Sequence, residues 1–292
     1  MNKVVRKAYG KVNLGLDVLG TLPNGYHEVA MILQTVNLYD TVTIEKASEG
    51  IRLTIDRDDL PVDTQNLAYR AAEKILAHGH VEGGVKIDIR KRIPVAAGMA
   101  GGSTDAAAVL VGINELYDLQ MSNEKLCELG VQLGADVPYC IYGGTMLAEG
   151  IGEKLTALVK PPKCTILLAK PQRGVSTKYV YDHLDLTQTE HPDMKRIVAN
   201  LKAQDLAEMS YALKNVLESV TGKEVEEIPK IEKVMMEAGA LCSLMSGSGP
   251  TVFGIFENSL AARKAARTIE KKALAADVIV TSFVDPSVEE SK

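Results

Sequence analysis

The stretch Pro94-Val-Ala-Ala-Gly-Met-Ala-Gly-Gly-Ser-Thr-Asp-Ala-Ala-Ala108 is the most informative part of this chain of 292 residues. Its glycines let the backbone approach a ligand closely and adopt positive φ angles. A strand-like segment at residues 85–89 precedes it, and an alanine- and valine-rich run follows as far as residue 116. This order predicts a strand, a glycine loop and a helix start. Because the first turn of a helix presents unpaired N–H groups and the positive end of the dipole, we expect an anion site there, most often for phosphate.

Neither of the common nucleotide fingerprints is present in this loop. The nucleoside-triphosphate loop requires Gly-x-x-x-x-Gly-Lys-Ser/Thr, and no lysine follows Gly101 or Gly102. The dinucleotide fingerprint requires Gly-x-Gly-x-x-Gly, and that spacing is absent as well. The alternative to an anion site is a glycine-rich turn with a Ser/Thr cap that binds nothing.

Composition and charge are those of an ordinary globular protein, with 46% hydrophobic and 24% charged residues. The formal net charge of −5 disfavours a nucleic-acid or membrane-surface binder, because such proteins present a basic face. No apolar run is long enough to span a bilayer, and residues 1–7 lack the apolar core of a signal peptide. The chain has four widely scattered cysteines: Cys127, Cys140, Cys164 and Cys242. None of them forms a Cys-x-x-Cys pair, so we expect no zinc site. We expect free thiols, and therefore a cytoplasmic protein.

Hydrophobic patterning predicts strands and helices intermixed along the whole chain. Strands are predicted at residues 8–18, 42–44, 51–55, 165–169, 251–256 and 278–281. Besides the helix after the glycine loop, helices are predicted at residues 66–77, 122–133, 193–219 and 261–276. A break with two prolines lies at residues 160–163. This arrangement predicts two domains, each with a mixed sheet.

Three separated motifs resemble those of one family, the GHMP kinases (galactokinase, homoserine kinase, mevalonate kinase and phosphomevalonate kinase). They are Ala8-Tyr9-Gly10-Lys11-Val12-Asn13-Leu14, the glycine loop, and Leu244-Met245-Ser246-Gly247-Ser248-Gly249-Pro250-Thr251-Val252-Phe253. Their order and spacing match the family along essentially the whole chain. One departure is Tyr9-Gly10, where the family usually has Pro-Ala. The lysine and the asparagine that follow are retained, so this departure bears on the backbone path and not on the chemistry.

The resemblance implies an α+β fold of two domains with the active site in the cleft between them. Residues 1–160 would form an ATP-binding domain similar to domain 2 of ribosomal protein S5, and residues 161–292 a ferredoxin-like domain. ATP would be the phosphoryl donor, and Mg²⁺ follows from ATP chemistry. We expect no nucleic-acid or membrane partner, and a monomer or weak homodimer.

Further stretches are similar to one branch of the family, whose members phosphorylate the 2-hydroxyl of a cytidine diphosphate alcohol in non-mevalonate isoprenoid precursor biosynthesis. These stretches are Gly25-Tyr26-His27-Glu28, Leu133-Gly134-Ala135-Asp136-Val137-Pro138 and Gly174-Val175-Ser176-Thr177. The resemblance therefore implies a small-molecule kinase with an alcohol acceptor and a cytidine-containing substrate.

The resemblance assigns the chemistry to Lys11 and Asp136. Lys11 would keep the catalytic aspartate ionised and stabilise charge that develops on the transferred phosphoryl oxygens. Asp136 would orient and deprotonate the substrate hydroxyl, since phosphoryl transfer needs mainly positioning and charge stabilisation. From the residues alone, Lys11 is a solvated surface lysine, and Asp136 is a helix N-cap followed by a proline in the first turn.

A pyrimidine site is implied around Tyr26 and His27, which follow a Pro-Asn-Gly turn. A tyrosine ring can stack on the base, and an imidazole can donate or accept at its polar edge. The resemblance adds Tyr181 on the other face of the base, with Asn13 and Thr177 as hydrogen-bonding partners of the substrate. From the residues alone, Tyr26 and His27 are two loop residues, one packed and one solvated.

ATP contacts are implied for the glycine loop and one earlier residue: Pro94, Val95, Ala96, Ala97, Gly98, Met99, Ala100, Gly101, Gly102, Ser103, Thr104 and Asn66. Ser103 and Thr104 would touch phosphate and magnesium, although such side chains also cap helices. Asp105 is interpreted as a residue that favours the helix start. Asn66 has the alternative of a helix N-cap.

Two rival functions remain open at this point. Another GHMP kinase would act on homoserine or a mevalonate derivative, which carries no base for Tyr26 and His27 to stack on. A non-catalytic nucleotide sensor on the same scaffold could dispense with Lys11 and Asp136, and both are present.

Overall fold

The computed structural model describes residues 1–23 and 25–286, which fall into two compact units. Unit 1 comprises Met1–Gly10, Leu38–Ile93 and Ala100–Gly143. Unit 2 comprises Lys11–Asn37, Pro94–Met99 and the chain from Gly144 onward. Each unit therefore draws on three separate stretches of sequence. The domain boundary expected after residue 160 stays a prediction.

Strands and helices alternate along the chain in the following order. They are β1 (Lys3–Thr21), β2 (His27–Ala47), β3 (Ile51–Ile55), α1 (Leu67–His78), β4 (Gly84–Arg90), α2 (Gly101–Leu116), α3 (Asn123–Gly130), α4 (Val137–Tyr142), β5 (Thr145–Gly150), β6 (Lys154–Ala157), β7 (Thr165–Lys170), α5 (Thr177–Asp182), a 3₁₀ helix (Leu186–Gln188), α6 (Met194–Ala203), α7 (Leu206–Ala212), α8 (Glu218–Glu224), α9 (Glu227–Glu237), β8 (Cys242–Met245), β9 (Val252–Phe256), α10 (Ser259–Lys271) and β10 (Asp277–Thr281).

Unit 1 packs helices against a small mixed sheet. Strand β4 pairs antiparallel with residues 41–47 of β2 and parallel with β3. The core combines the small side chains of α2 at residues 106–108 with branched strand residues such as Ile44 and Ile87. Small residues let a helix approach a sheet closely. At Gly112 of α2 an added Cβ would lie 2.5 Å from Ile44 Cδ1, so a larger residue there would require the Ile44 side chain to shift.

Unit 2 contains a four-stranded antiparallel sheet in the order β10-β7-β9-β8. With helices between β7 and β8 and α10 between β9 and β10, this is the βαββαβ order of a ferredoxin-like fold. Helix α10 buries one face, Ala262, Ala265, Ala266 and Ile269, at the spacing of an amphipathic helix. The ferredoxin-like expectation is confirmed. Residues 29–34 of β2 also pair with β5, which pairs with β6.

The predicted helix at residues 193–219 is wrong in its extent, because the chain breaks twice. Gln204 adopts a left-handed conformation that ends α6, and the Asp205 side chain then accepts from Glu208 N and caps α7. Leu213 is extended and ends α7. Local apolar periodicity continues through these breaks and therefore conceals them.

Strand β1 runs unbroken through the unusual Tyr9-Gly10 pair. The Tyr9 ring packs edge-on against the Tyr39 ring, with centroids 5.2 Å apart. The departure from Pro-Ala therefore leaves a regular strand. In the predicted Pro-Asn-Gly turn, Leu22 N donates to Tyr26 O at 2.7 Å, while Asn24 lies outside the described residues.

Candidate active site

Lys11 is buried, with only 5% of its surface exposed. Its Nζ donates to Asn13 Oδ1 at 2.9 Å and to Gly98 O at 3.1 Å. Residues 11 and 13 are two apart on β1 and so share a face of the strand. The interpretation of Lys11 as a surface lysine is wrong. Burying an ammonium is costly unless acceptors surround it, so its placement indicates a role for the charge.

The glycine loop and the C-terminal motif meet within unit 2. Ser246 Oγ donates to Gly98 O at 3.1 Å and accepts from Asn13 N at 3.3 Å. Gly98 has φ +69°, and a Cβ there would lie 2.2 Å from Ser246 O. A Cβ on Gly247 would lie 3.0 Å from Gly98 O and 3.4 Å from Asn13 Oδ1. The three motifs that carry the resemblance thus meet at Asn13 and Gly98, whose oxygens accept from the Lys11 ammonium, and glycine at 98 is a steric requirement.

Asn215 holds the backbone of the C-terminal motif, and the sequence analysis did not identify this residue. Its Nδ2 donates to Met245 O and to Gly247 O, both at 2.8 Å. Thr221 Oγ1 donates to Ser248 O at 3.1 Å, which fixes the next residue of the motif. The available signal was a pair of polar residues, Lys214 and Asn215, between the apolar residues of 212–217. Nothing in that pattern names its partners some thirty residues away.

Two of the residues expected to contact a pyrimidine base, His27 and Tyr181, lie next to each other. The His27 and Tyr181 rings lie 4.7 Å apart with a tilt of 32°. Tyr26 precedes them on the turn and exposes 59% of its surface. Thr177, at the start of α5, shares a 2.8 Å hydrogen bond with Ser248 Oγ. Helix α5 therefore places Thr177 beside the C-terminal motif and Tyr181 beside His27.

The start of α2, in unit 1, is an open helix N-terminus. Ala100 stands at the N-cap in a left-handed conformation with φ 59°, and no side chain caps the helix. Ser103 and Thr104 lie inside the first turn, and Thr104 Oγ1 donates to Tyr9 O at 2.7 Å. The capping alternative for these two residues is wrong, because the helix begins before them. The N–H groups of the first turn remain available to an anion.

Asp136 occupies the N-cap position of α4, but its side chain does not cap the helix. Its backbone is already helical, with φ −79° and ψ −14°, whereas a capping residue is usually extended. Pro138 follows within the first turn, as expected. The capping alternative for the Asp136 carboxylate is therefore wrong.

Asn66, in contrast, caps a helix. Its Oδ1 accepts from Ala68 N at 2.9 Å at the start of α1, and its Nδ2 donates to Pro61 O at 2.8 Å. The N-cap interpretation is confirmed, and its contact with adenine stays a prediction.

A buried ionic cluster behind α2 was missed by the sequence reasoning. Lys91 Nζ contacts Asp40 Oδ2 at 2.5 Å and Asp105 Oδ2 at 2.6 Å, and all three side chains are almost fully buried. Burial, together with the Asp40 charge, raises the pKa of Asp105 to about 7, although Lys91 opposes this shift. Asp40 Oδ1 also accepts from Ile93 N at 2.8 Å. Asp105 therefore ties α2 to the end of β4 and does more than favour the helix start.

The described part of the chain holds neither a group of side chains that could bind a metal ion nor a helix that could cross a membrane. Among residues 1–23 and 25–286, no three His, Cys, Asp or Glu side chains are grouped so that they could hold a metal ion. Within the same residues, no helix is both long and apolar enough to cross a bilayer.

Comparison with known proteins identifies the family. Residues 66–144 match the model of the GHMP kinases N terminal domain, and residues 197–275 match that of the GHMP kinases C terminal domain. A 4-diphosphocytidyl-2-C-methyl-D-erythritol kinase of Lachnoclostridium phytofermentans is 49% identical over 267 residues, which cover 91% of this chain and 92% of that protein. This chain belongs to the GHMP kinases. The enzyme of the same name from Lachnospira eligens is 46% identical over 288 residues, and this alignment covers 98% of this GHMP kinase and 100% of the other enzyme.

Solved structures agree with this GHMP kinase assignment. A crystal structure of 4-(cytidine 5'-diphospho)-2C-methyl-D-erythritol kinase superposes with a TM-score of 0.82 at 32% identity, covering 96% of this chain and 99% of that one. A homoserine kinase from Cytophaga hutchinsonii has a TM-score of 0.78 at 21% identity, covering 98% and 95%, which shows the shared fold alone. The predicted α+β two-domain fold is confirmed, and GHMP kinases use ATP as phosphate donor.

Proposed function

We propose that this GHMP kinase transfers the γ-phosphoryl group of ATP to the 2-hydroxyl of 4-diphosphocytidyl-2-C-methyl-D-erythritol, a step of non-mevalonate isoprenoid precursor biosynthesis. The observation that carries the proposal is the identity to kinases of that name over nearly the whole chain. The residues of unit 2 support it independently, because the His27 and Tyr181 rings lie 4.7 Å apart and the exposed Tyr26 precedes His27 in the chain, which together offer aromatic and polar contacts suited to a nucleobase.

In this proposal the base lies among Tyr26, His27 and Tyr181. One tyrosine ring stacks on the cytosine, and the second ring closes the other face. The His27 imidazole contacts the polar edge of the base. Asn13 and Thr177 bind the polar groups of the substrate, and the Thr177 hydroxyl already lies within hydrogen-bond distance of Ser248 Oγ.

Replacing Tyr26 with alanine tests the base site. Stacking of a base on an aromatic ring contributes roughly 1–3 kcal/mol in single-strand nucleic-acid binders, taken here as an analogy. Tyr26→Ala should therefore raise KM for the cytidine substrate by about one to two orders of magnitude, at roughly 1.4 kcal/mol per factor of ten. KM for ATP should barely change, as steady-state kinetics with each substrate varied in turn would show. Tyr211→Ala, at another tyrosine with 73% exposure, is the matched control and should leave both constants unchanged.

The phosphates of ATP are proposed to bind the open N-terminus of α2. The first-turn N–H groups and the helix dipole supply the positive field that an anion needs. Magnesium would be held mainly by the ATP phosphates, since the described residues offer no ligand cluster, and the Ser103 hydroxyl in the first turn of α2 is the candidate contact from the protein. When bound, the ion neutralises charge on the phosphates. Thr104 is less suited, because its hydroxyl is buried and donates to Tyr9 O.

A valine in place of Gly102 tests the phosphate site. The nearest atom to an added Cβ is Leu67 Cδ1 at 3.6 Å, so the fold has room for a side chain. Phosphate oxygens would lose their approach to the N–H groups, and loss of one charge-assisted hydrogen bond lowers affinity by about 10- to 100-fold. Calorimetric titration with ATP would measure the change. Gly222→Val, at a helical glycine whose added Cβ lies 3.9 Å from its nearest neighbour, should bind ATP normally. Unchanged affinity in Gly102→Val would remove the loop from the ATP site.

The chemistry is proposed to rest on Lys11 and Asp136. Asp136 takes the proton of the 2-hydroxyl as the oxygen attacks the γ-phosphorus, and the Lys11 ammonium stabilises the charge on the transferred group. The buried, hydrogen-bonded position of Lys11 favours catalysis over a nucleotide sensor, which would have no need to bury an ammonium.

A panel of alcohols tests the proposed activity. ADP release would be followed with 4-diphosphocytidyl-2-C-methyl-D-erythritol, homoserine and mevalonate, each with ATP and magnesium. We expect turnover with the first compound alone. Preference for homoserine or mevalonate would show that the chain is a GHMP kinase of another specificity.

Location and assembly are part of the same proposal. A cytoplasmic enzyme is consistent with four free cysteines. We propose a monomer or weak homodimer without nucleic-acid or membrane partners, in keeping with the net charge of −5.

A further inference from the structure

One buried face of β1 continues beyond the residues assigned to substrate. Lys11, Asn13, Gly15 and Asp17 are spaced two apart and share this face. An added Cβ at Gly15 would lie 3.0 Å from Ile197 Cδ1 of α6, so the helix covers that position closely. Asp17 comes next, is only 6% exposed, and plays no part in the chemistry proposed above. A buried carboxylate needs a partner, because an unpaired charge is costly away from water.

The partner of Asp17 is His191. Its Nδ1 lies 2.6 Å from Asp17 Oδ1, and its Nε2 lies 3.2 Å from Leu186 O. Both neighbours are acceptors, so only the doubly protonated imidazolium donates from both ring nitrogens. The hydrogen bond to Asp17, and after it the bond to Leu186 O, raise the pKa of His191 above its usual value of 6.5. The contact is therefore strongest when His191 carries its proton.

His191 ends the segment that presents Tyr181. This segment comprises residues 177–191. Its first residue, Thr177, shares a 2.8 Å hydrogen bond with Ser248 Oγ, and its last residue, His191, contacts Asp17. The turn between is internally bonded: Asp185 Oδ1 accepts from Thr187 N at 3.0 Å, and Thr189 Oγ1 donates to Asp185 O at 2.7 Å. A compact turn pinned at its far end restrains the helix before it. The position of α5, and with it Tyr181, thus depends on both ends.

We propose that Asp17 and His191 form a proton-dependent clasp that holds residues 177–191 in place, so that Tyr181 is positioned for the nucleobase of the substrate. This rests on the proposed function, since it concerns binding of a cytidine-containing alcohol. His191 acts through Tyr181 and is a positioning residue. Substrate binding is tighter when the clasp is protonated, and it weakens as the pH rises through the pKa of His191.

The charged residues next to the clasp in sequence have partners of their own. Glu190 pairs with Lys214, and Asp193 caps α6 by accepting from Arg196 N. Asp185 accepts within the turn. Carboxylates and lysines do not titrate between pH 6 and 9 unless strongly perturbed. Two other histidines lie near Tyr181, namely His27 and His183, so the experiment must separate them from His191.

The test compares KM for 4-diphosphocytidyl-2-C-methyl-D-erythritol from pH 6 to pH 9 in wild type, His191→Gln and His183→Gln. His183 is a matched control, because it lies on the same segment and its hydrogen bond and ring contact are with Tyr179. At pH 6 His191→Gln should have a KM about fivefold above wild type, the size expected of a partly exposed ion pair. At pH 9 the two should be equal. His183→Gln should follow wild type throughout, and KM for ATP should be unaffected in both variants.

A merely structural role for His191 would give a KM ratio that is the same at every pH, and that result, or no difference at all, would overturn the clasp. An NMR titration of the imidazole without substrate supplies a second readout: the pKa of His191 should exceed 6.5 in wild type and fall in Asp17→Asn. If Asp17→Asn does not fold, the wild-type titration decides, and an unraised pKa contradicts the clasp. Inactivity of all enzymes toward the cytidine alcohol would reject the proposed function, while the titration still judges the clasp.

Discussion

Asp136→Asn should lower kcat by about 10²–10⁴-fold, the usual contribution of a general base. Asparagine keeps the size of the side chain but cannot accept the proton of the 2-hydroxyl. The Asp136 carboxylate does not cap α4, so its replacement removes no capping bond of that helix. Asparagine also keeps an acceptor oxygen on a side chain of the same size, so the melting temperature should change little. Measurement of kcat, KM and thermal unfolding on the same preparation would separate chemistry from stability.

A matched control for this variant is Asp205→Asn. Asp205 does cap its helix, accepting from Glu208 N at 3.0 Å, and asparagine caps about as well as aspartate. Both variants should keep the wild-type melting temperature, and only Asp136→Asn should lose turnover. An Asp136→Asn enzyme with most of its kcat would mean that another group accepts the proton.

Lys11→Met should reduce kcat by about 10²–10³-fold, comparable to the loss of one donor to a developing oxyanion. Methionine keeps much of the apolar stem and removes the ammonium. KM for ATP should change less than kcat, because the ammonium acts on charge that develops during transfer. The measurement is steady-state kinetics well below the unfolding temperature, since the variant also loses stability.

The stability loss has a specific cause. Lys11 donates to Asn13 Oδ1 and Gly98 O, and without it the buried Asn13 oxygen loses this donor, at a cost of about 1–3 kcal/mol. Lys3→Met is the control, because Lys3 is an exposed lysine of the same strand paired with Glu45. It should keep normal kcat. Near-normal kcat in folded Lys11→Met would assign Lys11 a structural role alone.

The parts of this molecule that follow from local sequence were predictable. Asn66 precedes an apolar helical pattern and caps α1, and the glycine loop precedes α2. The capping alternative placed the helix start too late: Ala100 ends the loop in a left-handed conformation, so Ser103 and Thr104 fall inside the helix. Alanine gives no sign of that conformation, because it adopts it only under constraint from its surroundings.

The parts that depend on distant partners were not predictable from the residues. The burial of Lys11 depends on the Gly98 carbonyl, and that carbonyl also accepts from Ser246, 148 residues further along the chain. The Asp17–His191 pair joins residues separated by 174 positions, and neither residue stands in a recognisable motif. The family resemblance implied a role for Lys11, and its burial and hydrogen bonds support the proposal that its charge takes part in catalysis.

The most direct test of the central claim is a phosphorus-31 NMR spectrum of the completed reaction of 4-diphosphocytidyl-2-C-methyl-D-erythritol with ATP. Carbon 2 of the erythritol carries the methyl group and no hydrogen, so a phosphate on its hydroxyl has no neighbouring C–H proton to split its signal. We predict one new phosphomonoester singlet, with ATP converted to ADP. A new signal split by C–H protons would place the phosphate on a primary or secondary hydroxyl, and no new phosphomonoester at all would mean that this alcohol is not the acceptor; either result would contradict phosphorylation of the 2-hydroxyl.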